Sequence, residues 1–186
     1  MSVKRIVLIS LMTVLLCVCS WITIPYTVPF TMQTFGVFCI LLLIGGIDGT
    51  ISILLYIVLG MIGVPVFSGF QGGIGHLFGP TGGYILGFII TGIIYIIFEL
   101  LTRKMPDNKK KTTLALITLV IGLFCCYSIG TIWFYVVTKS TSYSIWGILM
   151  LCVIPYIIPD LIKLGLAIFI SLKLKKIINK DENDYE

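Results

Sequence analysis

Long apolar runs alternate along this chain with short breaks that are rich in polar residues, glycine or proline. The apolar runs cover residues 6–24, 30–46, 49–63, 82–101, 113–137 and 156–176. Sustained apolar runs of about 18 residues are typical of helices that cross a membrane. The pattern therefore predicts an all-α membrane protein with six transmembrane helices, formed by a single integral-membrane domain over residues 1–186.

Prolines and glycines set the expected helix boundaries. The second and third runs are short, and only the segment GGIDG at 45–49 separates them, which predicts a tight antiparallel helix pair. A helix from residue 146 to residue 177 would be about 48 Å long, too long for one crossing. Pro155 and Pro159 interrupt it, because proline lacks a backbone donor and disfavours helix just before itself. We expect residues 146–154 to form a short lid-like segment and the last span to begin near Pro159.

Composition agrees with a membrane location. Of the 186 residues, 58% are hydrophobic and 11% are charged, and the mean hydropathy is +1.11. A soluble domain of this size would carry far more polar surface. Lys4 and Arg5 precede the first apolar run as in a secretory signal, but the segment CVC at 17–19 is a poor cleavage site. We therefore expect residues 6–24 to remain as the first span.

The basic residues predict the orientation of the chain. They precede the first span, separate the fourth from the fifth, and follow the sixth: Lys4, Arg5, Arg103, Lys104, Lys109, Lys110, Lys111, Lys173, Lys175, Lys176 and Lys180. Cytoplasmic segments of membrane proteins carry an excess of lysine and arginine. Six spans with both termini in the cytoplasm place all eleven on that side and leave only Lys139 on an outer loop. The net charge of +5 is thus explained by topology and gives no indication of a nucleic-acid partner.

The expected outer loops, about 25–30, 64–81 and 138–155, are apolar, nearly uncharged and rich in glycine and proline. Their composition predicts that they fold over the bundle and cap a ligand pocket. The cluster Gly72, Gly73, Gly75, Gly79, Gly82 and Gly83 allows positive φ angles and close backbone approach, which suits a loop wrapped on a flat ligand. Close helix packing is the alternative explanation. The cluster matches neither a P-loop nor a dinucleotide-binding fingerprint.

Asp160 and Lys163 stand three residues apart at the head of the last apolar run. Charges inside a membrane are costly and usually face a cavity where they have a function. One interpretation is that both side chains bind a ligand. The alternative is that Asp160 caps the helix after Pro159 and pairs with Lys163 without any ligand. Pairing in the empty state and ligand contact in the filled state are compatible.

Enzyme and metal signatures are missing from the sequence. The six cysteines form no Cys-x-x-Cys pair, and His76 is the only histidine, so we expect no disulfide and no metal site. Neither His-Glu-x-x-His nor Gly-x-Ser-x-Gly occurs. Glu99 is expected at the cytoplasmic end of its span and Asp48 in an inner turn, both in contact with water. The chain is therefore not expected to be an enzyme, and no cofactor is implied.

Four stretches in order, VPFTMQTFGVF (28–38), GMIGVPVFSGFQGG (60–73), GPTGGYILGF (79–88) and PDLIK (159–163), resemble the BioY family. This family comprises the biotin-binding S components of energy-coupling factor (ECF) transporters. The resemblance implies a six-helix fold that captures biotin from the extracellular side, beneath the outer loops, and serves its high-affinity uptake. It also implies a multi-pass protein of the bacterial cell membrane. Its implied partners are a transmembrane coupling protein (EcfT type) and two ABC-type ATPases.

The same resemblance assigns candidate roles to residues. Asp160 would accept hydrogen bonds from the ureido N–H groups of biotin, and Lys163 would donate to the ureido oxygen or to the carboxylate. Further candidate ligand-binding residues are Thr31, Gln33, Phe35, Gly72, Gly73, Thr81, Gly83 and Tyr84. For Thr31 and Gln33, hydrogen bonding between helices is the alternative.

S components often dock on the coupling protein through an Ala-x-x-x-Ala pattern in the first helix, which this chain lacks. Small side chains nevertheless follow one helix face at Ser10, Thr13, Cys17 and Ser20. Docking through this face is one interpretation, and packing against the chain's own helices is the other. Other functions that remain open are an S component for another small vitamin, an intramembrane enzyme and a structural membrane protein.

Overall fold

The structure is a computed structural model that describes residues 2–26, 28–105, 108–138 and 144–184. Eight α-helices are found there: α1 Val3–Trp21, α2 Gln33–Ile44, α3 Gly46–Met61, α4 Ile74–Leu77, α5 Gly82–Thr102, α6 Asn108–Val137, α7 Ile145–Cys152 and α8 Ile154–Asp184. Two short antiparallel strands, β1 Thr23–Ile24 and β2 Phe30–Thr31, connect α1 to α2. A 3-10 turn, Ser68–Phe70, lies in the loop between α3 and α4. The predicted all-α fold is confirmed.

Four stretches of the described chain are long and apolar enough to cross a membrane. They are Val3–Trp21, Gly82–Thr102, Lys110–Val137 and Ile145–Lys176. The second and third predicted spans correspond to the shorter apolar helices α2 and α3. The membrane-protein class is therefore supported, whereas the count of six crossings and the orientation of the termini stay predictions. Lys139, in the expected third outer loop, lies outside the described residues.

The joint between α2 and α3 is tighter than the predicted five-residue turn. Gly45 alone separates the two helices, with a φ of 87° that favours glycine. Gly46 follows it, and a Cβ there would lie 2.9 Å from Cα of Ile96 in α5. The joint can therefore pack directly against α5.

Two acidic side chains at this end of the bundle form specific contacts, contrary to the expectation of simple hydration. Asp48 accepts hydrogen bonds from Nε of Arg5 at 2.7 and 2.9 Å, which ties α3 to α1. Glu99 accepts a hydrogen bond from the backbone N–H of Gly46 at 2.7 Å. This carboxylate therefore satisfies a free donor at the first turn of α3 and complements its helix dipole.

The last helix begins earlier than predicted. Residues 145–152 form the separate short helix α7, as expected, but α8 starts at Ile154 and runs through Pro159. Pro155 is tolerated because the first N–H groups of a helix have no partner within the helix. Pro159 removes only one hydrogen bond in the second turn. The chain therefore turns at Val153 rather than near Pro159.

The stripe of small side chains on α1 lies mostly inside the helix bundle. Its members are Ser10, Thr13, Cys17 and Ser20. Thr13 donates a hydrogen bond to the backbone carbonyl of Ser52 in α3 at 3.2 Å. Ser20 donates to the backbone carbonyl of Val66, Cys17 is buried, and Ser10 is exposed. The docking interpretation of this stripe therefore needs correction, because three of its four side chains pack against the chain's own helices.

The core surrounds α2. Ile40 and Leu41 are fully buried, and α2 packs against α1, α3 and α8. A smaller apolar cluster joins α7 to the start of α8 and to α5 through Ile148, Tyr156 and Tyr84. The two clusters hold the ends of α2, α5 and α8 in register, and a cavity lies where those helix ends meet.

Candidate functional site

A cavity, here called the Asp160 cavity, lies between the first residues of α2 and α5, the middle of α6, and helices α7 and α8. Its empty space of about 600 Å³ includes a part that is open to the surroundings. Six of the predicted ligand-binding residues line it: Thr31, Gln33, Thr81, Tyr84, Asp160 and Lys163. These residues come from three distant parts of the chain. Their convergence on one cavity is the geometry that a shared ligand would require.

Asp160 and Lys163 form a buried ion pair in this cavity. Lys163 Nζ lies 2.7 Å from Asp160 Oδ1. The Asp160 carboxylate also accepts hydrogen bonds from Thr34 Oγ1 at 2.8 Å and from the Tyr127 hydroxyl at 2.5 Å. Three donors thus surround the carboxylate, which offsets much of the cost of removing its charge from water.

The Lys163 ammonium group is equally well satisfied. It donates a hydrogen bond to the backbone carbonyl of Thr31 at 2.7 Å and lies 4.0 Å from the ring centroid of Phe30. A cation placed over an aromatic face is attracted by the negative face of the ring. Contacts from β2 therefore help to hold the Lys163 ammonium group in place.

The position of Asp160 excludes the helix-cap interpretation. A capping residue stands at the start of a helix, whereas Asp160 lies six residues after Ile154, where α8 begins. Its side chain contacts Thr34 and Tyr127 on other helices rather than the first N–H groups of α8. The pairing with Lys163, which the cap interpretation included and the ligand interpretation allows, is present.

Gln33 connects the cavity to the core. Its amide Nε2 donates to the Tyr56 hydroxyl at 2.6 Å, and Thr31 Oγ1 donates to its Oε1 at 3.0 Å. Both side chains line the Asp160 cavity while they bond to neighbouring residues. The interhelical hydrogen bond expected as the alternative is thus present for Gln33, and it holds the amide in place beside the cavity.

Two polar atoms at the cavity have no hydrogen-bond partner among the described residues. They are His76 Nε2 and the Tyr84 hydroxyl, and both are buried. Buried polar groups are normally satisfied, so an unpartnered one beside a cavity indicates a bound ligand or water. His76 stacks on Phe67 with ring centroids 5.2 Å apart. Burial lowers the pKa of His76 below its usual 6.5, so the imidazole is neutral at physiological pH.

Four predicted ligand-binding residues do not line the Asp160 cavity. Phe35 packs against the main core. A Cβ on Gly83 would lie 2.2 Å from Cβ of Trp133, so this glycine permits close packing of α5 on α6. A Cβ on Gly72 would lie 2.5 Å from the carbonyl oxygen of Val64, and Gly73 has a φ of 94°. These three glycines shape the walls and the loop rather than the lining.

Sequence reasoning missed Thr34, Tyr127 and Phe30, and considered His76 only as a metal ligand. Thr34 and Phe30 stand in the stretch VPFTMQTFGVF, beside the candidates Thr31, Gln33 and Phe35. Tyr127 gave no comparable signal, because its role depends on how α6 packs beside α8. The walls also include apolar residues such as Ile85, Phe88 and Tyr156. A mostly apolar cavity with a few converging polar groups is typical of a small-molecule binding site.

Comparison with known proteins agrees with this arrangement. The sequence model of the BioY family matches residues 1–180. The biotin transporter BioY of Thermotoga maritima is 36% identical, over 94% of this chain and 97% of the relative. The probable biotin transporter BioY of Pyrococcus horikoshii is 35% identical, over 94% and 98%.

A solved structure agrees as well. The crystal structure of the S-component for biotin from an ECF-type ABC transporter matches this fold with a TM-score of 0.81 and 27% identity. The match covers 94% of this chain and 92% of that one. Family, relatives and fold all agree with the resemblance that the four sequence stretches indicated. The chain belongs to the BioY family.

Proposed function

We propose that this protein is the biotin-binding membrane subunit of an ECF-type uptake transporter. The observation that carries the proposal is the buried Asp160–Lys163 pair, which faces a partly enclosed cavity in a member of the BioY family. Relatives named as biotin transporters and a structural neighbour described as an S-component for biotin support the same ligand. The protein acts in transport, and its cavity binds its ligand without changing it chemically.

The cavity matches the chemistry of biotin. The ureido ring presents two N–H donors beside one carbonyl oxygen, and Asp160 and Lys163 offer an acceptor and a donor 2.7 Å apart. Asp160 accepts from a ureido N–H, and Lys163 donates to the adjacent ureido oxygen, because two groups so close together meet the same end of the ligand. His76 and Tyr84, which lack partners, are available to the remaining polar atoms of biotin. Ile85, Phe88 and Tyr156 pack against its rings and tail.

Gln33, Thr31 and Thr81 complete the polar lining. Gly72, Gly73 and Gly83 act indirectly, because they allow the outer loop and the α5–α6 contact to close over the ligand. Phe35 supports the start of α2 from the core side. Thr34 and Tyr127 hold the Asp160 carboxylate in the orientation that biotin requires.

The orientation and the partners belong to the same proposal. Six crossings with both termini in the cytoplasm of a cell-membrane protein place the Asp160 cavity at the extracellular side. A transmembrane coupling protein of the EcfT type and two ABC-type ATPases supply the energy. The outward face of α1, which exposes Ser10, Leu11, Val14 and Val18, is the docking surface that replaces the corrected stripe.

A binding measurement tests the function directly. Protein purified in mild detergent should retain biotin that mass spectrometry identifies as chemically unchanged. Isothermal titration of the ligand-free protein should give tight 1:1 binding of biotin and none of riboflavin or thiamine. Displacement of biotin by another vitamin at equal concentration, or release of altered biotin, would overturn the proposal.

A further inference from the structure

A second cavity, here called the Lys111 cavity, lies at the opposite ends of the helices that form the Asp160 cavity. It is lined by parts of α2, α5, α6 and α8, and its empty space of about 1110 Å³ includes a part that is open to the surroundings. On α8 the Asp160 cavity uses residues 160 and 163, whereas the Lys111 cavity uses residues 168–175. On α5 the corresponding positions are 84–88 and 95–99. The two cavities are therefore separate sites.

The rim of the Lys111 cavity is positively charged. Lys111 and Lys175 both line it, together with Glu99. The Glu99 carboxylate already accepts a hydrogen bond from the N–H of Gly46 at the start of α3. Among the described residues, no carboxylate oxygen lies within 4.0 Å of the ammonium nitrogen of either lysine, so neither lysine forms an ion pair there. Two ammonium groups thus face the cavity with one carboxylate whose charge a helix end already offsets.

Ser171 gives an independent indication of a polar occupant. This residue is only 3% exposed, its side chain lines the Lys111 cavity, and its Oγ has no hydrogen-bond partner among the described residues. A serine in a helix normally donates to the carbonyl one turn earlier when nothing else is available. An unpartnered hydroxyl aimed into a basic cavity indicates an acceptor that binds there.

The deeper wall of the cavity is mainly apolar, and Tyr95 contributes its one hydroxyl group. Its residues are Leu42, Tyr95, Phe98, Ala115, Ile168 and Leu172. Along α8 the lining changes from Ile168 through Leu172 to Lys175, and along α6 from Ala115 to Lys111. The polar rim and the apolar depth therefore follow one direction along the helices. Such a gradient fits a molecule with an anionic head and a hydrocarbon tail, because a small soluble anion would leave the apolar wall in contact with water.

We propose that the Lys111 cavity binds the phosphate head group of an anionic phospholipid from the adjacent leaflet. Lys111 and Lys175 pair with the phosphate, Ser171 donates a hydrogen bond to it, and part of an acyl chain covers the apolar wall. Basic pockets between transmembrane helices are suited to anionic lipid head groups. The three charged side chains carry a net +1, which complements a lipid of charge −1 and disfavours the trimethylammonium group of a zwitterionic lipid.

The test measures lipid binding by native mass spectrometry and by thermal stabilisation of the purified full chain. Phosphatidylglycerol is titrated in detergent, with phosphatidylcholine as the zwitterionic arm. Lys111→Gln combined with Lys175→Gln is compared with Lys104→Gln combined with Lys173→Gln, which removes equal charge from exposed positions at the same end. We expect the first pair to weaken phosphatidylglycerol binding by about tenfold or more and the second by less than about threefold.

Biotin binding serves as the folding control for these variants, because the Asp160 cavity lies at the other end of the bundle. Should the double variant lose biotin binding, Ser171→Ala decides the question, and it should weaken phosphatidylglycerol binding by about threefold. Equal losses in both double variants, or no loss in either, would overturn the site. Glycerol phosphate that stabilises the protein as well as phosphatidylglycerol does, and displaces it, would overturn the lipid as the occupant.

Discussion

Lys163 Nζ lies 2.7 Å from Asp160 Oδ1, and the two side chains are only 6% and 4% exposed. A buried ion pair is expensive to form and costly to break from one side, because the remaining charge is left uncompensated. Thr34 and Tyr127 bond to the carboxylate, and the carbonyl of Thr31 bonds to the ammonium group. The carboxylate and the ammonium group are therefore held in fixed positions at the cavity, where biotin would meet them.

The first prediction concerns the pair itself. Asp160→Asn keeps the shape of the side chain but turns one acceptor oxygen into a donor that faces a ureido N–H. Losing a charge-assisted hydrogen bond should cost about 2–4 kcal/mol, or roughly 30- to 1000-fold in biotin affinity. Lys163→Met should weaken binding comparably. Isothermal titration with biotin measures both variants.

The matched control for Asp160→Asn is Asp48→Asn. It makes the same chemical change in the Arg5–Asp48 pair, which lies outside the Asp160 cavity. Biotin affinity of this control should stay within about threefold of the wild type. If Asp160→Asn and Lys163→Met remain folded and bind biotin with the affinity of the control, the proposed site is wrong.

The second prediction concerns Tyr127, which the sequence did not single out. Tyr127→Phe deletes the hydroxyl that donates to Asp160 Oδ2 at 2.5 Å and leaves the ring in place. Hydrogen bonds to charged groups contribute about 1.5–3 kcal/mol, so affinity for biotin should fall by about 10- to 100-fold. Tyr135→Phe, on an exposed position of the same helix, should leave affinity unchanged. Equal affinity of the two variants would show that Tyr127 does not position the carboxylate.

Some of this arrangement was predictable from sequence, and the reason for the rest is physical. The apolar runs predicted the helices, and the rarity of charge in hydrocarbon singled out Asp160 and Lys163. The partners Thr34 and Tyr127 lie 126 and 33 residues from Asp160 along the chain. No periodicity encodes such contacts, since they depend on how α2 and α6 pack beside α8.

The sequence also did not show which face of α1 points towards the core. In water, the polar side of a helix identifies the face that is exposed, but in a membrane both the lipid-facing and the core-facing sides are apolar. The small side chains of Thr13, Cys17 and Ser20 were therefore compatible both with docking on a partner protein and with packing against the chain's own helices. Only the hydrogen bond from Thr13 to the carbonyl of Ser52, together with the burial of all three, separates these alternatives.

The third prediction uses the single histidine of the chain. Burial lowers the pKa of His76 in the folded state relative to the unfolded value near 6.5, so the unfolded chain binds the proton more readily. The contribution of neutral His76 to the free energy of unfolding is therefore fully present above about pH 6.5. It is lost as the pH falls from there through the pKa that His76 has in the folded state. Thermal denaturation in detergent between pH 5 and pH 7.5 should show this decline.

His76→Phe is the control for that pH dependence. A phenyl ring can still stack on Phe67, and it carries no proton to titrate. The variant should lose the decline in melting temperature between about pH 6.5 and pH 5. A decline of the same size in the variant would assign it to other groups.

The fourth prediction concerns orientation. Gln71→Cys and Lys104→Cys are placed on exposed positions at the two ends of the bundle, in a background without the six native cysteines. A membrane-impermeant maleimide added to intact cells should label position 71 and not position 104. The excess of basic residues at the second end is the physical reason for this expectation. Labelling of position 104 from outside intact cells would reverse the proposed topology.

The fifth prediction separates ligand binding from docking on the coupling protein, and it uses two neighbouring positions on α1. Thr13 is 2% exposed and Val14 is 60% exposed, so tryptophan at each position tests opposite faces of the same helix turn. Thr13→Trp should lower thermal stability and biotin binding together, since the larger ring cannot fit between α1 and α3 without moving them. Val14→Trp should leave both unchanged, because its ring lies in lipid.

When the coupling protein is co-expressed, Val14→Trp should fail to co-purify with it and should not support biotin uptake, because close helix contact is what holds membrane partners together. A conservative Val14→Ala variant at the same position should preserve co-purification. Val14→Trp that assembles and transports as the wild type does would place the docking surface on a different helix. Thr13→Trp that stays folded and binds biotin, but loses its partner, would restore the original stripe as the docking surface.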